Sequence, residues 1–327
     1  MTLFPTPFLS ASVYGQKQHD LLLDAFIRPF WDASTLKEAG GFLWTMRYGG
    51  GGEHLKLRLH GPERHEVETR QALATVLDRF VESLPQSEPG QAYAGLFPSI
   101  DPEDEEEGIR PDRFWRWTTF RPSPFVLGAE KLAQDSTLAG LYAHAQSAVA
   151  EVVMRKVAPR RLESSFATLR QSLFIRMLIV SFVTLGFSTV EREAYLRHHH
   201  DWLVRFLIAK ERSPEASPAT ILAPMRERIA AMESTIEAIR QGLDASTTGP
   251  DVHPTFGIWQ QRLESFFGYV SMFRGDPTYD LDPYTDDYAF LPLFKLLHGA
   301  CNQFGLRLRN ELYVYHLLLA AATEAEA

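Results

Sequence analysis

The sequence predicts an α+β protein, in which a ferredoxin-like antiparallel sheet is followed by a large helical region. Two observations support this fold class. Over residues 8–121, strand-like and helix-like segments follow the order strand, helix, strand, strand, helix, strand, which is the split βαβ order. Beyond residue 122, the chain carries long stretches of helical apolar spacing. We therefore expect a ferredoxin-like region over 1–122 and a helical region over 123–327, which packs on the first or continues the same domain.

The elements of the first region follow from local pattern and composition. Strand segments are dense in aromatic and β-branched residues or alternate in polarity, and helix segments gather apolar residues on one face. The sequence predicts strands at 8–14 and 113–121, a two-stranded hairpin at 42–60, and helices at 18–30 and 62–84. Residues 86–112 are rich in proline, glycine and acidic residues, so they are predicted to be a loop.

The hairpin is the most distinctive stretch of the first region. Four glycines, Gly49–Gly52, separate its strands. In the second strand, leucines at 55, 57 and 59 alternate with His54, Lys56, Arg58 and His60, so the two sets point to opposite faces. The alternation predicts one face on the core and one open face. The open basic face is interpreted either as a solvated strand that resists aggregation or as a surface that grips a carboxylate or a peptide carbonyl.

The second region is predicted to be helical throughout. Helices are expected at 127–157, 163–185, 189–210, 219–243, 255–273, 288–304 and 309–323. Ser188 and Glu191 have the spacing of a capping box at the start of the third. The most apolar run, 173–187, contains Arg176 and is shorter than the roughly 18 residues typical of a membrane span, so it predicts a buried helix.

Composition and charge exclude several classes of function. The net charge of −8 argues against a general nucleic-acid-binding protein. A single cysteine, Cys301, rules out an internal disulfide and suits the reducing cytoplasm. The N-terminus lacks the pattern of a signal peptide. We therefore expect a cytoplasmic protein without membrane or nucleic-acid partners. No Cys/His spacing indicates a metal site.

Three groups outside the hairpin are candidates for chemistry. Lys295, His298 and Asn302 fall on one helical face, where a histidine is either a general acid or base or a hydrogen-bonded core residue. The adjacent histidines 198–200 are interpreted as a solvated helix face rather than a metal site, because neighbouring helical residues do not face each other. Tyr284 and Tyr288 lie in an acidic loop and either line a pocket or simply pack.

Two motifs carry a resemblance to a known family. The hairpin FLWTMRYGGGGEHLKLRLHG resembles the signature hairpin of the thiopeptide-type bacteriocin biosynthesis family, and PLFKLLHGACNQFGL resembles that family's closing His…Asn-Arg-Leu motif. His298 and Asn302 are in register with this motif, and Gln303 stands where arginine is common. The family is similar to the C-terminal elimination domain of class I lantibiotic dehydratases. The resemblance covers nearly the whole chain.

The resemblance implies tailoring of a ribosomally made peptide without a cofactor. One activity of the fold is glutamate elimination, which makes dehydroamino acids from glutamylated serine or threonine. Stand-alone relatives perform a formal [4+2] joining of two dehydroalanines, which forms a pyridine-type macrocycle and expels the leader peptide. The partners implied are a precursor peptide with its leader and other enzymes of the same pathway. A non-catalytic module that binds the precursor is a third alternative.

The resemblance also implies roles for individual residues. The catalytic set is His54, Lys56, Arg58 and His298, and the substrate-binding set is Arg116, Arg121, Tyr284, Tyr288 and Asn302. Two departures disfavour elimination. Lys56 replaces an arginine and loses its bidentate fork, and residues 118–128, TTFRPSPFVLG, lack the usual Glu-Arg-Tyr-Gly-Gly, so that Arg116 or Arg121 would have to substitute for its arginine from another register. The sequence therefore favours the cycloaddition.

Overall fold

The fold is described from a computed structural model that defines residues 7–14, 18–48, 54–84, 115–118, 135–211, 216–245, 254–273 and 290–323. The chain divides into two compact units. The first comprises Met1–Phe166 with Gly268–Phe304, and the second comprises Ala167–Phe267 with Gly305–Ala327. The boundary expected at residue 122 falls outside the described residues, as do the predicted acidic loop 86–112 and the four glycines of the hairpin.

The first unit contains the sheet and the helices that cover it. Its strands are β1 (Leu9–Val13), β2 (Phe42–Tyr48), β3 (His54–His60) and β4 (Trp115–Trp117). Its helices are α1 (His19–Leu21), a π-helical segment (Leu22–Ile27), α2 (Arg28–Asp32), α3 (Thr35–Glu38), α4 (Glu66–Ser83), α5 (Ser136–Val152) and α11 (Phe290–Phe304). A short 3₁₀ turn, Glu63–His65, precedes α4, and α5 continues into a π-helical turn, Val153–Val157, and a 3₁₀ turn, Ala158–Arg160.

The sheet has the topology that the sequence predicts. Its strands lie in the order β2-β3-β1-β4, and all three pairings are antiparallel. β1 and β2 are therefore parallel to each other, with β3 between them, which is the split βαβ arrangement. The ferredoxin-like prediction is confirmed, and β3 proves to be an internal strand rather than an edge.

The leucine face of the sheet packs on the helices of the βαβ units. Leu55, Leu57 and Leu59 are fully buried, and each contributes about 1.5–3 kcal/mol of hydrophobic stabilisation. Arg47 is paired with Leu55 and so projects from the same face. Its guanidinium forms an ion pair with Asp20 of α1 at 2.7 Å, which places this helix on the leucine face.

All regular secondary structure in the described residues of the second unit is helical. Its helices are α6 (Phe166–Leu185, which begins in the last residue of the first unit's N-terminal segment), α7 (Thr189–Glu211), α8 (Pro218–Ala230), α9 (Glu233–Ala245), α10 (Gly257–Val270, which ends in the first unit) and α12 (Leu308–Thr323). The capping box is confirmed, because the Glu191 amide donates to the Ser188 hydroxyl and the Ser188 amide donates to the Glu191 carboxylate.

Two helix predictions need correction. The single helix expected at 219–243 is two helices, α8 and α9, because the chain leaves helical geometry after Ala230 and starts again with the Met232 carbonyl accepting from the Thr235 and Ile236 amides. The apolar helix α6 is only partly buried: among the described residues, it alone is long and apolar enough to cross a membrane, with 39% of that window buried. Core helices of soluble proteins pass the same test.

Candidate functional site

The basic face of β3 is buried, so the prediction of an open face is wrong. His54, Lys56, Arg58 and His60 expose 1%, 1%, 2% and 0% of their surface. The reason is that β3 lies inside the sheet and that aromatic side chains cover this face. The Tyr14 ring lies 5.1 Å from the His54 ring, and His60 stacks on Phe42 at 4.5 Å. The interpretation of a solvated edge strand is therefore wrong as well.

Trp44 of β2 binds two members of the basic face. It lies opposite Arg58 in the strand pairing, and the Arg58 guanidinium carbon is 4.5 Å from the centroid of its ring, which is cation–π geometry. The indole Nε1 donates a 3.0 Å hydrogen bond to His60 Nε2. Because an imidazole nitrogen that accepts carries no proton, His60 is the neutral Nδ1–H tautomer.

Lys56 lies two residues before Arg58 on the same face of the strand. Their Cα atoms are about 7 Å apart, the spacing of alternate residues in a strand. Two basic side chains are therefore buried next to each other on one face of β3. Such a face suits a carboxylate or the oxygen of a polarised amide.

Helix α11 presents one partly exposed face. Between residues 292 and 304, Lys295, His298 and Asn302 are the only side chains that are not fully buried, which confirms that the three share a face. The His298 ring stacks on Phe294, with the ring centroids 5.8 Å apart. Burial lowers the pKa of Lys295 from 10.5 to about 8, so this lysine exchanges protons near neutral pH.

Tyr142 lies between the helix and Trp44, the cross-strand partner of Arg58. Tyr142 of α5 meets the Trp44 ring edge-on, with the centroids 6.2 Å apart. A Cβ atom on Gly299 would lie only 2.8 Å from the Tyr142 hydroxyl oxygen, so α11 and α5 cross closely at this glycine. His298 is the neighbour of Gly299. Arg58 and His298 belong to the same unit, and the contacts from Arg58 through Trp44 and Tyr142 reach Gly299, the neighbour of His298.

The sequence did not reveal Trp44, Tyr142 or Gln146 as part of this arrangement. Trp44 stands in the recognised hairpin, and its position opposite Arg58 could have indicated a contact. Tyr142 and Gln146 stand in an apolar helical stretch with no local signal, because their partners lie about half the chain away. Gln146 is completely buried and donates to the Leu296 carbonyl of α11 at 2.9 Å.

Several predicted site residues are defined only in part. Arg116 lies in β4, where it pairs with Ser12 of β1, and its side chain is not among those described. Arg121, Tyr284 and Tyr288 lie outside the described residues. Within the described parts of the chain, no cluster of three or more His, Cys, Asp or Glu side chains is arranged to hold a metal ion.

The adjacent histidines of α7 are not a solvated face, so that prediction is wrong. His199 and His200 are buried, because α7 packs along α12. His200 Nδ1 lies 2.9 Å from an Asp201 carboxylate oxygen, and its Nε2 lies 3.1 Å from His316 Nδ1. Burial, with His200 and Arg226 nearby, lowers the pKa of His316 from 6.5 to about 4.

Comparison with known families decides the relationship of the chain. The profile of the family described as lantibiotic biosynthesis dehydratase C-term matches residues 9–322. The chain belongs to this family. The match includes both strands of the hairpin and all of α11, so the resemblance predicted from those motifs is confirmed. The lantibiotic dehydratase C-terminal family contributes to tailoring of ribosomally made peptides, and the chain is related to peptide-modifying enzymes. No curated protein sequence matches the chain significantly.

Three solved structures share the fold of this chain. "Pyridine synthase, TbtD, from thiomuracin biosynthesis" is 17% identical, with a TM-score of 0.67 over 98% of both chains. TsrL is 16% identical, with a TM-score of 0.59 over 97% of this chain and 94% of its own. The tRNA-dependent lantibiotic dehydratase MibB from Microbispora sp. 107891 is 14% identical, with a TM-score of 0.56 over 98% of this chain but 28% of its own.

Proposed function

We propose that this chain is a tailoring enzyme that joins two dehydroalanines of a ribosomally synthesised precursor peptide by a formal [4+2] cycloaddition. The product is a pyridine-type macrocycle, and the leader peptide is lost. The observation that carries the proposal is the buried basic pair Lys56 and Arg58, connected through Trp44 and Tyr142 to the helix that carries His298.

The likeness to TbtD supports the same proposal at the level of fold. TbtD is a pyridine synthase from thiomuracin biosynthesis, and it aligns with this chain over 98% of both. MibB aligns over only 28% of its length, so the likeness there is to one part of a larger protein. At sequence identities of 14–17%, the likeness to these structures supports the fold alone. The assignment of the reaction therefore rests on the residues of the candidate site.

The residues suit the chemistry of the cycloaddition. One dehydroalanine amide loses its nitrogen proton and gains a proton on oxygen, which gives an iminol. The iminol forms two carbon–carbon bonds with the second alkene. Loss of water from the former iminol carbon and of the leader peptide as its amide then gives the aromatic pyridine. Lys56 and Arg58, with His54, polarise the amide oxygen, and His298 transfers the proton. Holding two reacting groups together contributes about 7–11 kcal/mol of barrier reduction, and acid–base assistance contributes about 10²–10⁴-fold in rate.

Substrate binding is proposed for a second set of residues. Asn302 shares the partly exposed face of α11 with His298, so its amide is suited to a hydrogen bond with the peptide backbone. The same role is proposed for Arg116, Arg121, Tyr284 and Tyr288. The proposed partner is a precursor peptide that carries its leader, processed beside other enzymes of the pathway in the reducing cytoplasm, which suits a chain whose single cysteine, Cys301, forms no disulfide.

Glutamate elimination is the second candidate function. The observation that favours it is the same basic pair, because a glutamyl carboxylate is a good ligand for a buried lysine and arginine. The lysine at position 56 weakens this candidate, since an ammonium lacks the planar fork that holds a carboxylate bidentately.

The test is turnover of two matched precursor peptides. One carries dehydroalanines, and the other carries glutamylated serines. Mass spectrometry should detect a macrocycle and free leader from the first peptide, with the second unchanged and with turnover unaffected by a metal chelator. Conversion of only the glutamylated peptide would establish elimination instead. If the chain binds both peptides and changes the mass of neither, the proposal is refuted, and the non-catalytic precursor-binding module is the remaining alternative.

A further inference from the structure

A buried glutamine on α11 binds the edge of the sheet. Gln303 is completely buried, and its Oε1 accepts from the Thr45 amide at 3.4 Å and from the Thr45 hydroxyl at 3.2 Å. Thr45 lies in β2, which is an outer strand of the sheet. The glutamine therefore satisfies a backbone donor that an edge strand would otherwise leave open.

The same glutamine binds α5 through its other end. Gln303 Nε2 donates to the side-chain oxygen of Gln146 at 2.6 Å and to the Gln146 backbone carbonyl at 3.1 Å. Gln146 in turn donates to the Leu296 carbonyl of α11. Every nitrogen in this network donates and every oxygen accepts, so the orientation of both amides is fixed.

A third contact holds the backbone of the last turn of α11. Arg47 Nε donates to the Gln303 carbonyl at 3.1 Å, and the Arg47 guanidinium is held by Asp20. The carbonyls of a last helical turn lack partners within the helix, and a cation there also interacts favourably with the helix dipole. β2 therefore anchors both the side chain and the backbone of Gln303.

These contacts determine which way α11 faces. Successive helical residues are separated by about 100° of rotation, so fixing Gln303 against β2 and α5 fixes the direction of His298 and Asn302 as well. A hydrophobic contact of the same area would allow the helix to rotate or slide slightly, whereas directional hydrogen bonds at both ends of one amide do not.

We propose that Gln303, held by Gln146 and Thr45, is a positioning residue that sets the orientation of His298. The positioning is a property of the free protein, while its effect on turnover rests on the proposed function. A merely structural role would stabilise the unit without altering the environment of His298 selectively.

The first test needs no substrate. NMR of the full chain labelled with ¹³C at histidine Cε1 follows each histidine through a pH titration, and the His298→Gln spectrum identifies the His298 signal. Gln303→Met keeps a similar side-chain length but removes the hydrogen bonds. We expect it to displace the His298 signal and its titration midpoint while His316, in the other unit, is unchanged.

The same spectra provide a control variant and show which results would contradict the positioning role. Gln261→Met, on an exposed part of α10, should leave His298 unaltered. An unchanged His298 in Gln303→Met, or equal changes in His298 and His316, would overturn the positioning role. If Gln303→Met does not fold, Gln146→Met provides the same comparison, since it removes the α5 side of the network and keeps the Thr45 contacts.

Kinetics then separate positioning from binding. With the dehydroalanine-bearing precursor, Gln303→Met should lower kcat by about 10- to 100-fold, the loss typical of small misplacements, with KM close to that of Gln261→Met. A rise in KM alone would contradict positioning of His298. Failure of the wild-type chain to turn over the peptide would refute the proposed function, and the NMR result would still decide the positioning role.

Discussion

The guanidinium of Arg58 stacks on the indole of Trp44, with its central carbon 4.5 Å from the ring centroid and the two residues paired across neighbouring strands. The stacking explains how a guanidinium is kept in a buried strand face, because the π-face replaces part of the lost hydration. The same indole donates to His60, so one side chain orders two members of the basic face.

Trp44→Phe should therefore destabilise the protein. The phenyl ring retains a weaker surface for Arg58, but His60 Nε2 loses its donor, and a buried acceptor without a partner costs about 1–3 kcal/mol. Urea unfolding measures the free energy of unfolding. Trp202→Phe, at a partly exposed position, is the matched control, and equal losses in both variants would contradict a special role for Trp44.

Gly299→Ala tests the close crossing of α11 and α5. The new methyl group would lie 2.7 Å from Gln146 Nε2 and 2.8 Å from the Tyr142 hydroxyl, so we expect a loss of about 1–3 kcal/mol in the free energy of unfolding. Gly268→Ala has no neighbouring atom within 4 Å and should stabilise its helix by up to about 1 kcal/mol. Thermal or urea unfolding of both variants distinguishes these opposite signs.

Lys295 should react with amine reagents at unusually low pH. Burial lowers its pKa to about 8, so the reactive neutral amine accumulates near pH 8. Mass spectrometry after brief acetylation across a pH series measures the midpoint for Lys295 beside that of the exposed Lys156. Equal midpoints for the two lysines would show that burial does not shift the pKa of Lys295.

The lowered pKa of Lys295 also predicts the pH dependence of stability. In the unfolded chain its pKa returns to 10.5, so between pH 8 and 10.5 the unfolded state holds a proton that the folded state lacks. The contribution of Lys295 to the free energy of unfolding therefore rises with pH across this window. Lys295→Met should remove that contribution, as urea unfolding at several pH values would show.

His316 has the corresponding effect in the acid range. Its pKa is about 4 in the folded chain and 6.5 when unfolded, so the unfolded state binds the extra proton between these values. The free energy of unfolding should fall as pH decreases from 6.5 to 4. His316→Gln should flatten this slope, whereas His65→Gln, outside the α7–α12 pairing, should not. If the free energy of unfolding depends on pH equally in both variants, the prediction is contradicted.

Local patterns predicted the parts of the fold that depend on neighbouring residues. Period-two alternation predicted β3 and the buried leucine face, and Ser188 with Glu191 predicted the start of α7. Helical spacing also placed Lys295, His298 and Asn302 on one face of α11. Each of these depends on side chains only a few positions apart.

Distant partners account for what the sequence could not show. The basic face of β3 is covered partly from β2, whose Trp44 contacts Tyr142 of α5, and His200 is buried against His316, 116 residues later. Polar side chains predicted to be solvated are buried where such partners exist. The Gln146–Gln303 pair, 157 residues apart, has no local pattern at all, since a lone glutamine in an apolar helix does not indicate its partner.

The central claim is that the basic strand and the histidine of α11 act together on a precursor peptide. The most direct measurement is turnover of the dehydroalanine-bearing precursor by the wild-type chain, Arg58→Gln, His298→Gln and the exposed control Arg176→Gln, each checked for native thermal unfolding. We predict that kcat/KM falls by at least about 10²-fold in the first two variants and is retained in the control. Turnover equal to wild type in both Arg58→Gln and His298→Gln would contradict the account.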